Sequence, residues 1–551
     1  MGAALALATA VKGAGAVAAS IAAGCALLLS DARARALSAL AALVLTPALL
    51  LGELWNGAQV ESLRAHPAAA GAAVVLGLAA VATLALGFRR WPWLLAPAAV
   101  FTLPFRVPLE SGGQSANLLV PLYVVIAGGV VAYAWDRLAA ARGGRLVAAG
   151  NGAGDAGVWR DVAPGLLEVS LTVLVALYAL QSLYSSDFET ALKNIAFFYV
   201  PFMLLLRLLT SAPWTTRGVR WCAGAAVGLA LVFAAAGFVE YATRHLLWNQ
   251  KVIASNQFES YFRVNSLFFD PNIYGRFLAM VMLGLATALL WDRRRRDVAV
   301  VTVVLAVLWV AIVFSFSQSS FAALLTGLAV LAALRWGWRP VAWAAGAVVA
   351  VGLVVVLAAP GLVHVNLLSG KSLDRASSGR FDLIKGGVSM FADRPIQGFG
   401  SGAFANEFRQ REQASSREAA SASHTIPLTY AAEQGIVGVA AYLAVLYAAF
   451  RLLFAGLAPL RGRAPPLRLL TRAYVGAVFA ALVMHTMLYA AFLEDPIAWT
   501  LLAAGIVFAR GEPLGARPRA SVASAARPSA ASGPAPGASP PSGPGQTGSG
   551  T

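Results

Sequence analysis

Cysteine and charged residues are scarce in this sequence. Its 551 residues include two cysteines, Cys25 and Cys222, which lie in or beside apolar segments. Two thiols cannot form a disulfide framework or a cysteine-rich metal site. Charged residues make up 12% of the chain, whereas a soluble domain averages about 25%. The composition therefore argues against a series of soluble domains.

Long apolar runs occupy most of the chain instead, and 59% of its residues are hydrophobic. We compared each run with the ~20 apolar residues that a helix needs to cross a membrane. The comparison predicts an all-α polytopic membrane protein with about 12–15 transmembrane helices. The candidate spans are 14–30, 36–52, 69–87, 92–106, 117–135, 165–183, 191–209, 221–240, 266–290, 298–314, 319–334, 341–360, 426–450, 473–492 and 496–510.

The positive charge is distributed as a topology signal. A formal net charge of +17 would suit nucleic acid, but the arginines cluster at the ends of alternate apolar segments. Arginine-rich short loops are cytoplasmic by the positive-inside rule. We therefore expect no nucleic-acid partner, and we place the arginine-poor loops outside. The predicted external regions are 53–68, 107–116, 241–265 and 361–425.

Two further segments are predicted to lie in the cytoplasm. Residues 136–164 contain many glycines and arginines and are expected to form a flexible linker. Residues 511–551 are rich in Pro, Ser, Ala and Gly and show no apolar periodicity. Such a composition is typical of a disordered tail.

Two arginines break the pattern of arginine-poor external regions. Arg263 lies at the outer edge of the segment YFRVNSLFFDPNIYGRF, and Arg276 lies inside the next predicted span. An intramembrane arginine usually faces a polar cavity or an anionic partner. Snorkelling of Arg263 and an internal ion pair for Arg276 are the structural alternatives. Asp270 and Asn272 flank Pro271, and Asp-Pro suits the start of a helix.

The long loop 361–425 contains a predicted amphipathic helix. The segment SSGRFDLIKGGVSMFADRP has Phe381, Ile384, Val388 and Phe391 at helical spacing. Such a helix can lie on the membrane surface or cover a cavity. Arg380 stands at its start, where a cation opposes the helix dipole and another purpose is indicated. The following GFGSGAF is either a plain turn or a backbone approach to a ligand.

The stretch SHTIPLTYAAEQGIVG closes this loop and opens the next span. His424 is either a packing histidine or a chemical group at the membrane surface, where it shares the outer face with the arginines. Glu433 lies about two and a half turns deeper, and an ion pair with an arginine of another span is its structural alternative. The outer carboxylates show no paired spacing such as D-x-D, so we predict neither a metal nor a cofactor.

These segments together resemble the O-antigen ligase and O-antigen polymerase family of bacterial membrane glycosyltransferases. The resemblance covers about residues 255–440. It rests on the arginine and DPN at 263–272, and on SFSQSSFAALLTGLAVLAAL, GRFDLIKGGVSMFADRPIQGFGSGAF and SHTIPLTYAAEQGIVG. The His-Asn pair that is usual in the family is His424-Thr425 here.

The resemblance implies a GT-C-like transferase in the bacterial cytoplasmic (inner) membrane, with its active site on the external face. Such enzymes take a glycan from a polyprenyl-pyrophosphate carrier and pass it to a hydroxyl of a glycan or lipid-glycan acceptor, without a metal. By resemblance, Arg263, Arg276 and Arg380 bind the pyrophosphate and His424 assists the acceptor. Asp270, Asn272 and Glu433 are assigned supporting roles.

The predicted organisation follows the same resemblance. Transmembrane helices fill residues 1–254, the ligase-like core with its external loop fills 255–440, and further helices fill 441–510. A transporter or flippase of a lipid-linked glycan is the alternative function. Polar groups at one face and the absence of an internal repeat favour the enzyme. Ligase, polymerase and protein O-oligosaccharyltransferase are not distinguished.

Overall fold

The computed structural model describes residues 2–54, 65–111, 114–143, 159–160, 162–246, 253, 262–291, 295–358, 380–412, 425–457, 460, 465–489 and 491–510. These residues belong to one compact unit, residues 1–515. The predicted catalytic His424 and the tail 511–551 lie outside the described residues. Within the loop 361–425, the structure describes residues 380–412 and Thr425.

The N-terminal half consists of helices and one hairpin. Its helices are α1 (Gly2–Leu28), α2 (Ala32–Leu54), α3 (Pro67–Arg90), α4 (Leu95–Thr102), α5 (Val120–Gly143), α6 (Leu166–Ser182), α7 (Phe188–Asn194), α8 (Val200–Ser211) and α9 (Thr216–Thr243). A 3₁₀ turn at Pro92–Leu94 precedes α4, and a π turn at Ile195–Tyr199 joins α7 to α8. Strands β1 (Val107–Ser111) and β2 (Gln114–Leu118) pair antiparallel.

All the regular elements among the described residues of the C-terminal half are helices. Its helices are α10 (Pro271–Trp291), α11 (Arg295–Phe314), α12 (Gln318–Trp336), α13 (Trp338–Ala358), α14 (Arg380–Asp393), α15 (Phe404–Glu412), α16 (Ile426–Phe454), α17 (Leu467–Thr486) and α18 (Pro496–Arg510).

The all-α polytopic prediction is confirmed. Eleven helices of the described part are long and apolar enough to cross a membrane, and four shorter apolar helices accompany them. Every candidate span named above overlaps one of these helices. Many large apolar side chains point outward, such as Leu76 at 70% and Val348 at 73% exposure. In a hydrocarbon solvent such a surface is favourable, so the protein is a multi-pass membrane protein.

Two loop predictions differ from the structure. The segment 107–116 is predicted to lie outside with no regular structure assigned to it, and it forms most of the β1–β2 hairpin. The flexible linker predicted for 136–164 begins inside α5, and its later part is packed. Trp159 is buried against Tyr133, and its indole N–H donates to Asp136 at 3.1 Å. A tryptophan that can satisfy its one donor is stabilised by burial.

Several helix termini meet at one end of the fold. Helix α12 packs against α10 and α17, while α16 packs against α6, α17 and α18. The starts of α10, α12, α16 and α18 and the end of α17 are joined by the contacts described below. The opposite ends of these helices carry arginines such as Arg335, Arg451 and Arg510. Polar chemistry and positive-inside charge are therefore separated along the helix axes.

A kink in α16 anchors the segment that follows α14. Gly435 adopts φ 64°, a left-handed conformation that favours glycine. The broken turn allows the Ile436 N–H to donate to the Pro395 carbonyl at 2.8 Å. The Gly400 N–H donates in turn to the Glu433 carbonyl at 2.8 Å. The GFGSGAF segment is thus hydrogen-bonded to the opened backbone of a transmembrane helix.

Replacement of Gly435 by alanine is expected to destabilise the protein. A non-glycine residue in this conformation costs about 1–3 kcal/mol, and the new Cβ would also overlap the Ile396 carbonyl oxygen. The thermal unfolding midpoint in detergent should fall clearly. The matched control is Gly224→Ala in α9, where a Cβ meets nothing within 4 Å. Equal midpoints for the two variants would contradict this role of Gly435.

Candidate active site

A cluster of polar side chains lies where α10 and α12 begin and α17 ends. We call it the polar cluster. Its members are Arg263, Asp270, Asn272, Ser317, Ser319, Ser320, His485 and Tyr489. The cluster brings together the DPN and SFSQSS segments from the sequence analysis. Contacts across three helices fix it, so it is a property of the tertiary fold.

Asn272 is the centre of this cluster. Its side-chain oxygen accepts hydrogen bonds from Ser317 at 2.8 Å and from Ser319 at 3.5 Å. Its backbone carbonyl accepts from the Ser320 hydroxyl at 3.2 Å. An amide oxygen has two lone pairs, so this position is well matched to several donors. The small serines allow the start of α12 to approach α10 closely.

Arg263 is held at the same point. Its Nε donates to the Ser315 carbonyl at 3.2 Å, and its Nη2 lies 3.5 Å from the side-chain oxygen of Asn272. The side chain is half-buried. These contacts direct the guanidinium toward the helix starts, so snorkelling alone does not describe its position. An oriented guanidinium can bind phosphate oxygens bidentately.

Asp270 begins α10, as the Asp-Pro pattern predicted. Its carboxylate accepts from the Asn272 N–H at 2.6 Å. The same carboxylate accepts a hydrogen bond from the Tyr489 phenol. Removal from solvent, together with the charge of Asp270, raises the pKa of Tyr489 above the usual tyrosine value. Tyr489 is therefore a neutral phenol that can donate a hydrogen bond in the cluster.

His485 was not predicted as a site residue. It is fully buried in the last turn of α17, and its Nε2 lies 3.2 Å from the Ser319 hydroxyl. A lone histidine near the end of an apolar run gives no local pattern that separates it from a packing residue. The one available signal was Tyr489, which follows four residues later in the short connection from α17 to α18.

Helix α16 begins beside the end of α17. His424 lies outside the described residues, but the Thr425 hydroxyl donates to the Met487 carbonyl at 3.2 Å. Met487 stands two residues after His485 in the sequence. The chain that leaves His424 therefore begins α16 against the end of α17, beside the polar cluster.

Arg276 forms a buried ion pair with Asp495 at the start of α18. The two side chains are 1% and 2% exposed. The internal ion pair that the sequence analysis raised as an alternative is therefore present. The Nε and Nη1 atoms of Arg276 have no hydrogen-bond partner within the described part of the chain. Asp495 was not predicted, although Asp495-Pro496 repeats the Asp-Pro helix start of α10.

Removal of Asp495 is expected to destabilise the protein strongly. Breaking a buried pair leaves an uncompensated charge and typically costs about 3–5 kcal/mol. The Asp495→Ala variant should unfold at a much lower temperature in detergent than the wild type. The double variant Arg276→Met/Asp495→Leu removes both charges and should recover most of the loss. A double variant as unstable as Asp495→Ala would contradict the pairing.

Glu433 has a different partner from the one considered. It is buried, and its carboxylate accepts from the backbone N–H groups of Gly402 at 2.8 Å and Phe404 at 3.1 Å. Among the described residues no arginine pairs with Glu433, and its carboxylate lies instead at the start of α15. A carboxylate at a helix start is stabilised by the orphan N–H groups and the dipole. Two N–H groups of GFGSGAF thus bind Glu433.

The amphipathic helix is present as α14, but another face is buried. Its buried side carries Leu383, Gly386, Gly387 and Met390, while Ile384 and Val388 are 40% and 54% exposed. The glycines allow Phe408 and Leu428 to approach closely, and this contact selects the buried face. Helix α14 begins at Arg380, whose side chain lies outside the described part, so its predicted role stays a prediction.

The chemistry of the described site is that of an anion-binding and hydrogen-bonding surface. No group of three or more His, Cys, Asp or Glu suited to a metal ion occurs among the described residues. Serine hydroxyls and Arg263 are donors that suit phosphate or sugar oxygens. The arrangement can hold an anionic, hydroxyl-rich molecule where the helices begin.

The helices and the polar cluster define a multi-pass membrane protein with a buried polar cluster at one end of its helices. Residues 303–443 match the family model described as O-antigen ligase. The match supports the predicted family over this part of the chain, and with it O-antigen ligase-like glycosyltransferase activity in polysaccharide biosynthesis. No curated protein matches the chain. The matched residues include the serines of α12, His424 and Glu433. The DPN segment precedes the matched range in the sequence, and its Asn272 contacts the α12 serines.

Proposed function

We propose that the protein transfers a glycan from a polyprenyl-pyrophosphate carrier to an acceptor hydroxyl. The observation that carries the proposal is the anchored Arg263 in the polar cluster. Thr425 supports it, because its contact with Met487 brings the neighbour of His424 to the same helix ends. The reaction takes place at the external face of the bacterial cytoplasmic membrane. The arginine-rich opposite ends of the helices support that side.

The reaction exchanges one bond to the anomeric carbon for another. The acceptor oxygen bonds to that carbon as the bond to the pyrophosphate oxygen breaks. The leaving group departs as polyprenyl pyrophosphate with an added negative charge. His424 takes the acceptor proton, and such general-base assistance is typically worth about 10²–10⁴-fold.

The arginines stabilise the leaving group. Guanidinium groups bind pyrophosphate oxygens bidentately and offset the charge that develops as the bond breaks. Arg263 and Arg380 are proposed to contact the pyrophosphate directly. The two unpartnered donors of Arg276 give it capacity for an anion even while it pairs with Asp495. With three arginines in this role, we propose that the transfer needs neither a metal nor a cofactor.

Three residues act by positioning others. Asn272 accepts from Arg263, and Asp270 binds the Asn272 N–H, so both fix the guanidinium. Glu433 fixes the loop residues that connect α14 and α15 to the kinked α16. The external loop can then cover the reaction and exclude water while a lipid carrier enters from the side.

A transfer assay tests the proposal. Purified protein in lipid vesicles receives a polyprenyl-pyrophosphate oligosaccharide and a chelator, and released polyprenyl pyrophosphate and glycan length are followed. Release is expected with the chelator present. A lengthened glycan then identifies a polymerase, and release that needs a separate acceptor identifies a ligase, whose acceptor can be a glycan, a lipid-glycan or a protein. Vesicles without protein give the background.

The alternative function gives a different result in the same vesicles. A transporter or flippase moves the intact donor from one leaflet to the other and releases no polyprenyl pyrophosphate. Movement without release, with every acceptor class tried, would overturn the transferase proposal.

A further inference from the structure

An apolar groove of about 220 Å³ lies between α2, α5 and the π turn that leads into α8. Its lining includes Thr46, Pro47, Leu118, Tyr123, Phe197 and Leu204. The Tyr123 hydroxyl donates to the Phe197 carbonyl at 2.8 Å, so its polar end is satisfied within the wall. A wall of this kind favours an apolar chain over a polar ligand.

The groove opens beside the β1–β2 hairpin. Leu118 lines the groove, and its backbone pairs with Val107 in the hairpin. The lining residues of α5 lie in its first two turns, whereas Arg89 and its ion-pair partner Asp136 mark the other end of α5. The groove therefore belongs to the end of the helices that is poor in arginine.

Arg106 stands between this groove and the polar cluster. It directly precedes Val107, so the backbone pairing keeps it next to Leu118. Its neighbour Phe105 packs edge-on against Phe233 at 6.1 Å. The carbonyl of Phe233 accepts from the hydroxyl of Ser266, in the segment between Arg263 and Asp270.

The charge of Arg106 interacts with a residue of the groove and with a residue of the polar cluster. It acts electrostatically on Tyr123 in the groove wall and on Tyr489 in the polar cluster. The Arg106 side chain is half-buried, and the part of the chain that the structure describes gives it neither a hydrogen bond nor an ion pair. A half-buried cation with no counter-ion among the described residues favours an anionic ligand.

We propose that the groove binds the isoprenoid end of the polyprenyl-pyrophosphate donor and that Arg106 binds the pyrophosphate at the groove mouth. The inference rests on the proposed function. One molecule then satisfies both features, because its apolar chain and its anionic head are joined covalently. The continuity from the groove through Arg106 to Arg263 places the head where the glycan is transferred. A bilayer phospholipid is the competing occupant.

Filling the groove tests the position of the chain. Ala127, a half-buried lining residue, is replaced by tryptophan. The KM for a long-chain donor is expected to rise about tenfold, equivalent to roughly 1.4 kcal/mol, while the KM for a donor with a methyl group in place of the isoprenoid chain stays unchanged. Ala345→Trp on the exposed face of α13 is the matched control. If Ala127→Trp raises the KM of both donors by the same factor, the proposal is overturned.

A binding experiment separates this inference from the proposed function. Wild type, Arg106→Ala and Arg217→Ala are incubated with a polyprenyl pyrophosphate that carries a diazirine on its chain and no glycan, and the labelled peptides are mapped. Label is expected on the groove residues of α2 and α8, and it should be lost in Arg106→Ala. Arg217 lies over the Trp93 ring at 4.8 Å, away from the groove, and its variant should keep the label.

The outcomes are distinct. Label outside the groove-lining residues of α2, α5 and α8, or label displaced equally by bilayer phospholipid and by unlabelled polyprenyl pyrophosphate, would overturn the groove. Groove labelling by a protein that never transfers glycan would overturn the proposed function alone. Transfer by a protein that is labelled elsewhere would overturn the groove alone.

Discussion

Replacement of His424 by alanine is expected to reduce glycan transfer about 10²–10⁴-fold, the usual contribution of a general base. The fall should be in kcat, because the histidine removes a proton in the transition state and adds little to donor binding. The measurement is the initial rate of polyprenyl pyrophosphate release by purified protein in lipid, at saturating donor and acceptor. Thermal unfolding of the same samples checks that the variant is folded.

The control for His424 is another histidine at a helix end. His245 follows α9 and is exposed, and the polar cluster does not include it. His245→Ala should transfer glycan at the wild-type rate. Equal rates for the wild type and His424→Ala would remove the histidine from the mechanism while leaving the transferase in place. An unfolded His424→Ala would require His424→Gln, which should be folded and still inactive.

Replacement of Arg263 by alanine is expected to lower kcat about 10²–10³-fold, the usual loss when one charge-stabilising donor is removed from a transition state. Arg263→Lys keeps the charge but lacks the planar fork, so it should recover part of the rate. The assay is again the release of polyprenyl pyrophosphate. A structural role alone would lower the unfolding temperature and leave kcat per folded molecule unchanged.

Arg244 provides the matched control for Arg263. Its guanidinium lies over the Tyr241 ring at 4.2 Å, and its side chain is exposed. It sits near the same end of the fold but outside the polar cluster. Arg244→Ala is expected to keep the wild-type kcat. Equal losses in both arginine variants would indicate a general charge effect and contradict a specific role for Arg263.

The transmembrane architecture was predictable because its physical cause is local. Crossing a hydrocarbon layer requires a continuous apolar segment, and each such segment of the sequence overlaps an apolar helix. The start of α10 was predictable for the same reason, since Asp270 and Pro271 act on their own first turn. The β1–β2 hairpin was missed because its short strands carry no such run.

Pairings between distant segments could not be predicted. Asp495 lies 219 positions from Arg276, and nothing near either residue identifies the other. Glu433 likewise finds backbone N–H groups at Gly402 and Phe404, a partner that depends on the kink in α16. The face of α14 that packs on the protein was not predicted, because it combines Gly386 and Gly387 with Leu383 and Met390, whereas Ile384 and Val388 are exposed.

The candidate site was predictable in part. Arg263 and Asn272, chosen from one segment, do meet at the serines of α12. His485 and Arg106 were missed, because one polar residue at the end of an apolar run gives no pattern. Tertiary packing brings these residues to one end of the fold, and that information is absent from any single segment.

The most direct test of the central claim is the side at which transfer occurs. The protein is reconstituted in one orientation in sealed vesicles, with donor in both leaflets and a membrane-impermeant acceptor on one side only. Release of polyprenyl pyrophosphate is expected when the acceptor faces the polar cluster, where the helices carry few arginines. Release only with the acceptor on the arginine-rich side, or no release on either side, would contradict the account.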